Sequence, residues 1–95
     1  MTAYVLVNVK VKDSARYEGY KRLAERAVER HGGRYLVRGG ETMTLEGGWQ
    51  ADRVVVLEFP TLEHIKTFYE SADYAAAREQ RADSAEMKMI AVAGL

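Results

Sequence analysis

From Ala3 onward the chain alternates, with Val5, Val7, Val9 and Val11 at one parity and Tyr4, Leu6, Asn8 and Lys10 at the other. Period two with β-branched residues predicts a strand. Asp13 then offers a capping carboxylate, and the period changes to that of a helix. Tyr17, Tyr20, Ala24, Ala27, Val28 and His31 recur three and four apart on one stripe, while Arg22, Glu25, Arg26 and Glu29 fall opposite. Gly32-Gly33 stops the helix, since glycine accepts the left-handed conformation of a C-terminal cap. A second strand follows over residues 34–38. Gly39-Gly40 predicts a bulge or bend, after which an extended run at residues 42–45 leads to a glycine-flanked loop around Trp49. The third strand, residues 53–59, is apolar on both faces through its middle, and Pro60 ends it. Thr61 can cap a second helix whose stripe is Leu62, Ile65, Phe68 and Tyr69. Asp73 is expected to cap a further helical piece over residues 74–82, and a last strand is expected over residues 86–92.

The resulting order, β-α-β-β-α-β, is the split βαβ arrangement of the ferredoxin-like fold, an α+β class with a four-stranded antiparallel sheet in the order 4-1-3-2. Right-handed crossovers put both helices on one face of it. The helices can cover Val54 and Val56 or Val55, Leu57 and Phe59, but not both sets. At about 25 cal/mol per Å², leaving the other set in water would forgo several kcal/mol. The simplest cover is a second copy, so the expectation is a homodimer joined through the sheet.

Composition narrows the function. The 95 residues fit one domain spanning 1–95, with 47% hydrophobic and 29% charged residues, near globular averages. Fourteen basic side chains balance fourteen acidic ones. That argues against a nucleic-acid partner, which calls for a basic excess. No cysteine is present, which removes thiol catalysis and thiolate metal sites. No apolar run approaches the roughly 20 residues that span a bilayer, and no signal peptide opens the chain. The expectation is a soluble, cytoplasmic protein with no membrane partner.

The run His31-Gly32-Gly33-Arg34-Tyr35-Leu36-Val37-Arg38-Gly39-Gly40 resembles the uncharacterised domain-of-unknown-function 1330 family of the dimeric α+β barrel superfamily. Leu45-Glu46-Gly47, Trp49, Val55-Val56-Leu57-Glu58-Phe59-Pro60 and the Tyr69-x-Ser71-x-x-Tyr74 segment carry the resemblance further. The opening strand and Tyr17-x-x-Tyr20 are similar too. Ala72 departs from the pattern, where proline is expected after the serine. The resemblance implies a ferredoxin-like subunit pairing as a dimeric α+β barrel, and no established activity. Wider relatives of the superfamily include cofactor-free monooxygenases, muconolactone isomerases, dehydratases and sensor domains, among which fold analogy cannot choose.

Several polar residues can carry chemistry. His31 falls near the centre of the first helical stripe, so it is expected to point at the sheet, either as a general base or as a helix-terminal histidine bonded to a carbonyl. His64 lies off its stripe and reads as a surface residue. With two histidines far apart, no metal site is expected. Asn8, Arg38 and Glu58 share strand parity with Leu6, Leu36 and Val56, so they can share one face, as a ligand site or as an ion pair fixing register. Tyr74 and Arg78 are neighbours four apart on a helix and, with Tyr69, can bind an anionic or carbonyl-bearing molecule. Trp49 is either a lid over a pocket or an aromatic docking on the dimer mate. These residues allow proton-transfer chemistry without a cofactor, as isomerase, lyase or monooxygenase, on a small carbonyl or anionic metabolite. His31 or Glu58 would be the base, and Asn8, Arg38, Tyr69, Tyr74 and Arg78 would hold the ligand. The alternatives are a non-catalytic metabolite-binding module and a purely structural dimer.

Overall fold

The computed structural model describes residues 1–95. Its elements are β1 (Ala3–Val11), α1 (Ser14–Arg30), β2 (Arg34–Arg38), β3 (Arg53–Phe59), α2 (Leu62–Glu70), α3 (Ala72–Arg81) and β4 (Ala85–Ala93). The strands form one antiparallel sheet in the order β2-β3-β1-β4. This is the ferredoxin-like α+β fold with an open four-stranded sheet. Val5, Val7 and Val9 of β1 and Val55, Leu57 and Phe59 of β3 face the helices and are buried with Tyr17, Tyr20, Ala24, Ala27, Val28, Ile65, Phe68, Tyr74 and Ala77.

The caps follow the sequence closely. Asp13 accepts the Arg16 N–H and opens α1, and Gly32 leaves the helix with φ +82°. Thr61 accepts the His64 N–H and opens α2. Ser71 closes α2 and opens α3. Its hydroxyl donates to the Phe68 carbonyl (2.7 Å) and accepts from the Tyr74 N–H (3.1 Å). That double cap breaks the helix without the proline missing at Ala72.

Three expectations are corrected. Asp73 does not cap a helix: Ser71 takes that role, and Asp73 lies in the first turn of α3. The expected run at residues 42–45 is not a strand, and the connection from β2 to β3 is irregular. The β2 irregularity falls at Leu36 and not at Gly39-Gly40. Tyr35 pairs with Leu57 and Val37 with Val56, so Leu36 is an extra residue on β2. A bulge flips the facing of everything beyond it.

Candidate functional site

The bulge decides which polar residues meet. Before it, Arg34 pairs with Glu58 on the outer face, and the Arg34 Nε donates to Glu58 Oε1 at 2.7 Å. After it, Arg38 pairs with Val55 and so turns to the helix side. The expected grouping of Asn8, Arg38 and Glu58 on one face is therefore incorrect. Asn8 and Glu58 share the outer face, and Arg38 lies on the inner one. Arg38 approaches Glu25 of α1 (3.5 Å) and stacks over the Tyr35 ring (4.3 Å). Asn8 is occupied locally: its amide donates to Asp52 and its carbonyl accepts the Asp52 N–H, both at 3.1 Å.

His31 does not point at the sheet. It caps α1 with φ −103° and ψ 18°, and its backbone N–H reaches back to Ala27 and Val28. Leaving helical geometry swings the ring toward α2 and α3. There it meets the Phe68 ring edge (6.3 Å) and Asp73, whose Oδ2 stands 3.8 Å from Nε2, beyond hydrogen-bond reach. Arg30 holds the Asp73 carboxylate through two contacts of 3.0 Å. His31 and His64 border a polar surface cleft with Arg30, Gly32, Glu63 and Thr67. His64 is exposed, with its Nδ1 2.7 Å from the Thr61 hydroxyl. No group of three or more side chains suited to a metal forms.

The inner face holds the chemically richest place. A cavity of about 30 Å³ lies between α1 and the sheet, lined by Tyr20, Tyr35, Tyr74, Met87 and Met89, with Lys21, Arg38 and Arg53 as its cations. Tyr20 arrives from the α1 stripe, Tyr74 from the Ser71-capped turn of α3, and Tyr35 from β2 just before the bulge. The Tyr20 and Tyr74 hydroxyls meet at 2.7 Å, and the Tyr74 hydroxyl donates to the Met89 sulfur at 3.6 Å. The protons thus run from Tyr20 to Tyr74 to a thioether, a weak acceptor. Burial raises the affinity of both phenols for their protons. The shared hydrogen bond adds to this at Tyr20 and opposes it at Tyr74. Burial likewise pushes Tyr35 up to about 12 against the pull of Arg38. The cavity therefore presents neutral hydroxyl donors flanked by positive charge.

Of the residues named from sequence, only Tyr74 and Arg38 line this cavity; His31, Glu58 and Asn8 do not. Tyr69 and Arg78 meet as expected, with the Arg78 guanidinium 4.6 Å over the Tyr69 ring and donating to its hydroxyl at 3.3 Å. They adjoin Tyr74, whose ring centroid is 5.5 Å from that of Tyr69, and Tyr69 also borders a cleft of about 210 Å³ between α2 and β4, with Ile65, Phe68, Met89 and Ile90. Tyr20, Tyr35 and Arg53 were not singled out. The available signal was Tyr20 on a buried stripe, because a buried phenol needs a partner. Trp49 is 66% exposed and lies across the outer sheet face, where it lines a groove of about 440 Å³ with Leu6, Val54 and Ile90. That position does not cover the inner cavity. No helix is long and apolar enough to cross a membrane.

Comparison with known proteins adds the following. A family model described as a domain of unknown function, DUF1330, matches residues 2–95. No curated protein matches the chain. Among solved structures, the chain is similar to a protein of unknown function from Rhodopseudomonas palustris, with 20% identity, a TM-score of 0.78, and 99% of this chain and 82% of that one covered. It is similar also to SnoaB, a cofactor-independent oxygenase from Streptomyces nogalater, with 9% identity, a TM-score of 0.66 and coverage of 99% and 93%. A third is a dimeric protein of unknown function and ferredoxin-like fold from Bacteroides fragilis, with 13% identity, a TM-score of 0.57 and coverage of 98% and 96%. At these identities the likeness is one of fold.

Proposed function

The chain belongs to the DUF1330 family, and from that premise we propose that it is a homodimeric protein whose cavity between α1 and the sheet takes the carbonyl oxygen of a small metabolite and stabilises its enolate. One observation carries the reading: the Tyr20–Tyr74 hydroxyl pair ends on the Met89 thioether. A carbonyl or enolate oxygen is a far better acceptor than a thioether, so a ligand entering there would take the Tyr74 proton. At about 30 Å³ the cavity has room for roughly one water or one carbonyl group. The rest of the ligand would lie across the mouth, against Lys21, Arg38 and Arg53, with Met87 and Met89 adjusting around it.

Enolate formation is the step shared by isomerisation, elimination and reaction of a substrate carbanion with oxygen. The α-proton leaves to water or hydroxide at the mouth, since no carboxylate or histidine lines the cavity. The electron pair of the broken C–H bond moves onto the carbonyl oxygen held at Tyr74. Donors kept neutral and aimed at developing negative charge are what that step requires. The fold shared with SnoaB, described as a cofactor-independent oxygenase, supports placing the chain in this chemical range. A non-catalytic binding module is the second reading, favoured by the absence of His31 and Glu58 from the cavity lining, which leaves it without the expected base.

Dimerisation belongs to the same proposal. Leu6, Val37, Ile90, Val92 and Trp49 leave an apolar outer sheet face exposed in the single chain. The Bacteroides fragilis protein of the same fold is described as dimeric.

The test is solvent exchange. 4-Acetylbenzoate in D2O is followed by NMR for loss of its methyl protons. The protein is expected to accelerate exchange over buffer, and Tyr74→Phe to lower that acceleration about tenfold or more. Exchange at the buffer rate with the probe bound would leave the binding reading; no binding at all would overturn both.

A further inference from the structure

Three cations border the cavity, and two are satisfied within the chain. Lys21 Nζ lies 2.9 Å from Glu18, and Arg38 lies 3.5 Å from Glu25. Arg53 makes no ion pair, and its Nε is shut from solvent without a hydrogen-bond partner. Glu18, the carboxylate whose charge Arg53 favours, is already taken by Lys21. A buried N–H left unpaired is costly, and of the arginines with such an Nε only half-buried Arg53 lines the cavity, so its mouth suits an anion.

The setting also fixes where the guanidinium sits. Arg53 opens β3 opposite Val9, on the inner parity of the sheet. Its guanidinium lies 5.9 Å from the centre of the Tyr17 ring on one side and packs against Gly39 on the other. Gly39 has φ +75°, and a Cβ there would run into the Arg53 head. The positive φ favours glycine at this position, while the flexible Arg53 head could by itself yield to a larger residue. An arginine held this way offers a planar fork that matches a carboxylate through two parallel hydrogen bonds.

We propose that Arg53 is a carboxylate-binding residue at the mouth of the cavity, so that the ligand is a small oxo acid carrying a carboxylate beyond the carbonyl held at Tyr74. The assignment rests on the cavity reading above and adds the substrate class to it. Arg53 sets specificity, and Tyr74 holds the reacting oxygen.

The experiment compares 4-acetylbenzoate with its methyl ester, which keeps the ketone and ring and removes the charge. Binding is measured by titration calorimetry on the full protein. The wild type is expected to prefer the acid by about tenfold, and Arg53→Met to erase that preference by lowering the affinity for the acid to that for the ester. Arg53→Lys, which keeps the charge but loses the fork, is expected to retain part of the preference, and it serves if the Met variant does not fold. Equal affinity of the wild type for acid and ester, or an unaltered preference in Arg53→Met, would overturn the carboxylate assignment. Failure of the cavity reading looks different: the ester would then fail to bind, or bind with no loss in Tyr74→Phe.

Discussion

Burial raises three phenols of the cavity above the ordinary phenol value of 10.0, which widens the range over which they stay neutral donors. A neutral phenol donates a hydrogen bond and cannot act as a base at physiological pH, so Tyr20, Tyr35 and Tyr74 are donors. It also gives the fold a defined alkaline limit. Tyr35 rises from 10.0 to about 12 because burial penalises its charged form. A pKa raised on folding means that the folded state holds the proton longer than the unfolded chain does. The associated stability is therefore complete below about pH 10 and is lost as pH climbs through about 12. Urea denaturation between pH 8 and 12 is expected to show stability falling above pH 10, with a shallower fall in Tyr35→Phe. An identical slope in that variant would show that its phenol does not couple to folding. At this scale the sequence was only partly readable. His31 was projected one residue past the helix that justified the projection, and its capping backbone angles redirect the ring.

Among the elements, the sheet does most to decide function, because its two faces receive different duties. Alternation separates the two faces of β1 and β3 but leaves open which one the helices cover; Val5, Val7 and Val9 turn in with Val55, Leu57 and Phe59, and Leu6 turns out. The same parity failed on β2, since the extra residue at Leu36 leaves no mark in composition while glycines a few positions later suggested a bulge there. The flip sends Arg38 to the cavity and leaves Arg34 to pair with Glu58. The helical layer was more legible, since Asp13 and Thr61 are short polar residues placed where unpaired N–H groups need them, although Asp73 drew the third cap away from Ser71 two residues earlier. The outer face of the sheet makes a direct prediction. Ile90 is 65% exposed there and pairs across the sheet with Leu6. Ile90→Asp is expected to leave the single-chain fold intact and to prevent dimerisation. Light scattering at micromolar concentration should then give one chain mass for the variant and two for the wild type. A monomeric wild type would contradict the proposed assembly.

In the whole molecule, two of the cavities matter to the account, one on each face of the sheet. One is the inner cavity of phenols and arginines, and the other is the apolar outer groove beside Trp49. The account places the ligand in the first and a second copy of the chain over the second. Period and capping reveal the architecture from sequence because they act locally. The cavity is contributed by α1, β1, β2, β3, α2, α3 and β4 together, and no local pattern reports such a convergence. The four methionines provide a direct discriminator. Met87 lines the cavity and not the outer groove, Met89 borders both, and Met1 and Met43, each 79% exposed, line neither, so Met87 is the residue that tells the two places apart. The decisive measurement is the methyl spectrum of protein labelled with ¹³C at the methionine methyls, titrated with 4-acetylbenzoate. The account predicts that the Met87 and Met89 resonances move together and saturate while Met1 and Met43 stay fixed. Saturating binding that leaves Met87 unmoved would contradict it.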